Sequence, residues 1–231
     1  MAGFARGAGW VVLVLIGLIL ALQCWYLAHI VWWRTHPPES TSFMRQQLKV
    51  LREKDPKARI HYQWVPYERI SANLKRAVIA AEDARFTDHD GVDWDAIDKA
   101  RERNERRGKV VAGGSTITMQ LAKNLFLSSD RSYIRKAQEI VITYMLEAVL
   151  TKDRILELYL NVAEWGVGVF GCEAGARHHF SVSAARLAPA QAARMAAMLP
   201  RPRHYDLNPR STVLARRTQA ILRGMGFVQA P

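Results

Sequence analysis

Cysteine is scarce. The 231 residues hold two, Cys24 inside an apolar run and Cys172 far downstream, a pair that implies no cross-linked scaffold. Zinc-finger spacing, a nucleotide-binding glycine loop and a basic–aromatic repeat suited to single strands are all missing, so no nucleic-acid partner is expected. Strand-like alternation is also rare, and there is no internal repeat or low-complexity tract, which leaves a mainly α-helical chain. Acid is short as well. Lys and Arg number 33 against 21 Asp and Glu, a net charge of +12, and such an excess points to an anionic membrane surface or a phosphate-bearing substrate.

Long apolar runs are absent except at the front. From residue 7 to residue 33, "GAGWVVLVLIGLILALQCWYLAHIVWW" carries no fixed charge. At about 1.5 Å per residue, the part between Trp10 and Trp32 matches a hydrocarbon core of about 30 Å. Trp10 at one end and Trp25, Tyr26, Trp32 and Trp33 toward the other suit the two interfaces. No small-x-small site closes the run, which favours a retained single transmembrane anchor over a cleaved leader. Arg6 precedes the span, whereas Arg34, Arg45, Lys49, Arg52 and Lys54 follow it. A positive-inside count alone would leave the rest of the chain in the cytoplasm. Residues 34–58, polar and opened by Pro37-Pro38, read as a linker to a domain over residues 59–231.

Within that domain the helix signals are local. Ser71 is placed to cap a helix whose stripe is Leu74, Ala77, Val78 and Ala81, with Glu82 in its last turn. Ser115 or Thr116 opens a second with Ile117, Leu121 and Leu125 buried, Asp130 or Ser132 a third, and Thr151 a fourth. Residues 183–199 form an Ala-rich amphipathic segment interrupted or started by Pro189 and closed by Pro200 and Pro202.

Two stretches carry candidate chemistry. In "GGSTITMQLAKNLF" (113–126), helical spacing puts Thr116, Gln120 and Lys123 near one meridian with Asn124 beside Gln120. This is either a solvated face or a face for a polar, negatively charged ligand. In "RKAQE", Arg135 and Glu139 are one turn apart with Lys136 adjoining. That is either a simple i,i+4 ion pair or a phosphate-facing cluster. His89, His178 and His179 have no acidic third ligand at a recognisable spacing, so no zinc site is read from them.

In order, "EDARFTDHDG", "GGSTITMQLAKN", "RKAQE" and "KDRILELYLN" resemble the signature motifs of the peptidoglycan glycosyltransferases, glycosyltransferase family 51. "EWGVGVFG" and "LPRPRHY" continue the likeness, which runs over about residues 60–210. With no S-x-x-K and K-T-G arrangement, the chain is more similar to the monofunctional biosynthetic branch than to members bearing a transpeptidase domain. His179 and Gln191 stand where relatives often carry an aromatic and a Glu.

The resemblance implies a lysozyme-like, mainly α fold with a membrane-facing lobe. It implies lipid II and the growing glycan strand as substrates, inner-membrane lipids and other cell-wall synthesis proteins as partners, and a periplasmic domain on a single-pass inner-membrane anchor. Glu82 would be the catalytic base. Glu139 would be the second acid, assisting departure of the lipid pyrophosphate directly or through a divalent cation, Mg2+ or Mn2+. No tightly bound cofactor is implied. Ser115, Thr116, Gln120, Lys123, Asn124, Arg135 and Lys136 would bind substrate, and Asp83, Phe86, His89 and Gly91 would hold the first motif in shape. A glycan-cleaving enzyme with Glu82 as acid and a non-enzymatic wall scaffold remain the rival readings.

Overall fold

The structure is a computed structural model that describes residues 2–109, 113–128, 130 and 132–231, with side chains from residue 9 onward. Helix α1 (Ala2–Trp32) contains the span Gly9–Trp32, which is long and apolar enough to cross a membrane. Its residues from Trp10 to Leu20 are exposed, but lower down Tyr26, Ile30 and Trp33 join the hydrophobic core against Phe126. Gln23 and Gln138 exchange reciprocal amide hydrogen bonds at 3.1 and 3.0 Å, tying the anchor to α6 (Tyr133–Val149).

The expectation of a linker over 34–58 needs correction. Residues Ser42–Lys54 form α2, capped by the Thr41 hydroxyl, which accepts from the Met44 N–H at 3.2 Å. Met44 is fully buried and Gln47 nearly so. Beside them Leu48 and Leu51 complete a helical stripe that packs on α5 (Ile117–Phe126). The proline pair is pinned too: Arg154 donates to the carbonyls of Trp33 and His36 at 2.8 Å each, and Tyr62 to that of Pro38 at 2.9 Å.

The expected caps form. Ser71 caps α3 (Ala72–Glu82), Thr116 caps α5, Ser132 caps α6 and Thr151 caps α7 (Lys152–Val162), each hydroxyl accepting an N–H from the first turn. Helix α4 (Trp94–Arg107), which the sequence pattern does not announce, is capped by Asp93 and ends at Gly108. A small sheet joins β1 (His61–Tyr62), β2 (Glu164–Gly166) and β3 (Val169–Phe170) in the order β1-β3-β2, parallel then antiparallel. Helix α8 (Cys172–Phe180) follows. Pro189 begins α9 (Pro189–Met198), and Pro202, expected as a stop, opens α10 (Pro202–Leu207), a position where its missing N–H costs nothing. Helix α11 (Thr212–Gly224) ends the bundle.

Two helix groups share the core. Helix α9 packs against α3 and α11, and α5 against α6 and α7. Leu74, Ala77 and Val78 of α3 and Ile117 and Leu121 of α5 are fully buried. On α6 the large side chains Tyr133, Ile134, Val141 and Tyr144 stay exposed.

Candidate active site

The first motif is built around Asp83, the C-cap of α3. Its Oδ2 accepts from the Ile117 N–H at 3.0 Å, so a carboxylate sits on the positive end of α5. Its Oδ1 accepts from His89 Nε2 at 3.0 Å. Phe86 is buried beneath, with the Lys152 ammonium 4.7 Å from its ring centre. Gly91 has φ +85°, and a Cβ there would lie 2.7 Å from both Thr143 and Glu147, so glycine is required on two counts. These four residues pack together around the turn that follows α3.

Glu82, one residue earlier, is differently placed. Half-buried at the end of α3, its carboxylate accepts from Gln120 Nε2 at 2.8 Å. Gln120 Oε1 in turn accepts from the Tyr159 hydroxyl at 2.9 Å. Burial pushes the Glu82 carboxyl above its ordinary 4.5, although the Gln120 hydrogen bond and the charges of Arg217 and Lys123 pull the other way. The same burial lowers the Lys123 ammonium, against the pull of Glu139 and Glu82.

The predicted binding residues divide among three cavities. Gln120, Lys123 and Asn124 line a cleft of about 370 Å³ closed by Phe43, Tyr159, Glu164 and the segment 199–204. Glu82, Asp83, Ser115 and Thr116 line a neighbouring cavity of about 360 Å³. The Gln120–Glu82 hydrogen bond joins residues of the two. Arg135 and Lys136 line a third with Ser132 and Tyr133. Thr116 is a correction: its buried hydroxyl caps α5 and donates to the Gly91 carbonyl at 2.5 Å, which leaves it committed to the framework. Lys136 Nζ is 3.4 Å from Ser115 Oγ, a contact between residues of the second and third cavities.

Glu139 is buried, one oxygen on Arg135 at 2.5 Å and the other on Lys136. The pair read from sequence therefore forms, with a second cation added. Both oxygens are occupied by positive groups, a donor set that does not fit Mg2+ or Mn2+, which take oxygen ligands around an unshared charge.

Several site residues carried no assignment from sequence. Tyr159, fully buried with its hydroxyl held well above the ordinary tyrosine value by that burial, orients Gln120 from inside "KDRILELYLN". Arg203, from "LPRPRHY", holds Glu164 with bonds of 2.8 and 3.0 Å at the cleft wall. Arg217 of α11 contributes charge near Glu82. The motifs containing the first two were visible; the partners were not, since they lie 39 residues away in each case.

A family model described as Transglycosylase matches residues 47–226, a range that begins inside α2. The chain is 61% identical over 222 residues to a biosynthetic peptidoglycan transglycosylase of Herminiimonas arsenicoxydans, covering 96% of each chain. It is 56% identical over 225 residues to one of Bordetella pertussis, covering 96% of this chain and 93% of that one. It is 54% identical over 217 residues to one of Chromobacterium violaceum, covering 94% and 95%. Likeness of this extent, on a helical domain whose cleft is lined by the quoted motifs, makes the chain an enzyme that belongs to the family of biosynthetic peptidoglycan transglycosylases, anchored by one membrane-spanning helix.

Proposed function

We propose that the enzyme polymerises lipid II into β-1,4-linked glycan strands, transferring the growing chain from undecaprenyl pyrophosphate to an acceptor 4-hydroxyl with inversion. The observation that carries this reading is Glu82, a half-buried carboxylate with a raised pKa and a neutral amide on one oxygen, beside the cation Lys123. The acceptor hydroxyl gives its proton to Glu82 as its oxygen bonds to the anomeric carbon. The bond from that carbon to the pyrophosphate breaks on the opposite face, and the electron pair leaves with the phosphate. A positioned base contributes about 10²–10⁴-fold to such a step. Lys123 stabilises the charge that grows on the leaving group, which favours the transition state over the ground state. Gln120 and Asn124 orient the sugars, and Glu139 holds Arg135 and Lys136 at the pyrophosphate end.

The domain is periplasmic, on a single-pass anchor in the inner membrane, among inner-membrane lipids and other cell-wall synthesis proteins. A periplasm-dependent reporter fused after Pro231 should be active, and activity only from a cytoplasmic reporter would reverse the topology. The decisive assay incubates purified enzyme with labelled lipid II, then separately with finished glycan. Strand formation from the first and no cleavage of the second is expected. Cleavage without polymerisation would make Glu82 the acid of a lytic enzyme.

A further inference from the structure

We propose that His178, His179 and Asp206 form a site for one divalent cation of the zinc class, tying α10 to α8 and to the turn between β2 and β3. Each residue offers one donor atom, and the three atoms lie within 4.8 Å of one another. The two histidines are adjacent on α8, with ring centres 4.7 Å apart at 79°. Asp206, the third ligand, comes from α10, 28 residues further along the chain. That distance in sequence explains why spacing alone gave no hint of it.

The surroundings hold His179 and Asp206 in place, and the proton that His178 Nε2 gives to Asp206 Oδ1 would be released when a metal binds. His179 Nε2 lies 2.7 Å from the Trp165 carbonyl. A carbonyl can only accept, so Nε2 carries the proton and Nδ1 keeps its lone pair. Metal-bound imidazoles are held in this way, with the second ring N–H given to a backbone carbonyl. Asp206 Oδ2 accepts from the Val167 N–H at 2.8 Å, leaving Oδ1 beside His178 Nε2 at 2.7 Å. Gly166 leaves room for the carboxylate in this position, since a Cβ there would lie 2.7 Å from Asp206 Oδ2. A simple exposed ion pair is worth little and needs none of this support. The His178 side chain is 43% exposed, which leaves a path for an ion.

Two imidazoles and a carboxylate suit zinc better than magnesium or calcium, and water would take the fourth position. Zinc bonds of about 2.0–2.2 Å in a tetrahedron set neighbouring donors about 3.4 Å apart, so His178 and Asp206 would part by about 0.7 Å. The bound ion would brace α10, whose Arg203 grips Glu164 at the wall of the catalytic cleft.

The test uses the full chain in detergent, stripped with a chelator and freed of any histidine tag. Titration with Co2+ should give a saturable visible d–d band at one equivalent, displaced by one equivalent of Zn2+, and Zn2+ should raise the melting temperature. Asp206→Asn and His178→Gln should each abolish the band and weaken Zn2+ binding by at least about 10²-fold, a loss at the upper end of what outer-shell changes alone cause. His36→Gln, at the membrane end of the molecule, should bind normally. If Asp206→Asn fails to fold, the exposed His178→Gln decides alone. No saturable band in folded wild-type protein, or a band that persists in His178→Gln, would overturn the site.

Discussion

At the end of α3, Glu82 meets a neutral amide, whereas in the second turn of α6 Glu139 meets a guanidinium and an ammonium. The side chains are chemically identical and both are shielded from water, yet their surroundings drive them apart. Burial with one uncharged partner makes the Glu82 carboxylate hungry for a proton. Two cations bonded directly to Glu139 make it a counter-ion. The comparison teaches that two shielded acids of one domain differ by the charge of their first neighbours more than by their depth.

The most severe way to break the comparison is Glu82→Gln. It keeps the shape but not the basicity, and initial polymerisation rate per folded molecule should fall by about 10²-fold or more. Stability should move oppositely. Because the folded pKa is raised above 4.5, the protonated acid favours the fold; that contribution is complete below 4.5 and is lost as pH rises through the folded value. Glu82→Gln should therefore melt no lower than wild type at pH 7, and any advantage should vanish in acid. The acidic limb of kcat/KM in the wild type should likewise lie above 4.5. Near-wild-type turnover in the folded variant would remove the base.

Lys123→Ala comes next. A desolvated cation that meets pyrophosphate should cost on the order of 2–5 kcal/mol in kcat/KM when truncated. Unchanged kcat/KM for lipid II would return that helix face to solvent. Glu139→Gln should act in a third way, chiefly on stability. It leaves Arg135 and Lys136 facing a neutral amide, and after discount for their partial exposure the loss should be about 1–3 kcal/mol by denaturant titration. If Glu139→Gln melted normally while abolishing turnover, the two acids would be alike after all. Asp83→Asn should show the smallest specific effect. Losing charge at the α5 N-terminus costs about 1 kcal/mol, with activity falling only in step with the folded fraction.

What could be read from the chain was whatever its own neighbours decide. Ser71, Thr116, Ser132 and Thr151 cap their helices through bonds to N–H groups two or three residues on, so a short window contains the whole cause. The face bearing Gln120, Lys123 and Asn124 followed from helical period in the same way. Thr116 was misassigned because its second partner, the Gly91 carbonyl, lies 25 residues back. Helix α2 was hidden by its charges, although Met44, Gln47, Leu48 and Leu51 carry the stripe that α5 buries. The two- and three-residue strands are too short to show a period, and they come together where α8 packs against all three. Arg135 was legible as the partner of Glu139, but the grip of Lys136 on the second buried oxygen was not.

The join between α1 and the domain has a mechanical consequence. Since Tyr26, Ile30 and Trp33 are core residues, and Arg154 clasps the carbonyls of Trp33 and His36, the bilayer holds this enzyme by a rigid handle instead of a leash. A leash would let the domain sample many heights and tilts above the lipid; a handle allows few. The bilayer then serves as a jig that presents each lipid-borne sugar within a narrow range of altitude and angle, and cutting the handle near residue 33 would remove part of the domain's own interior along with its mooring.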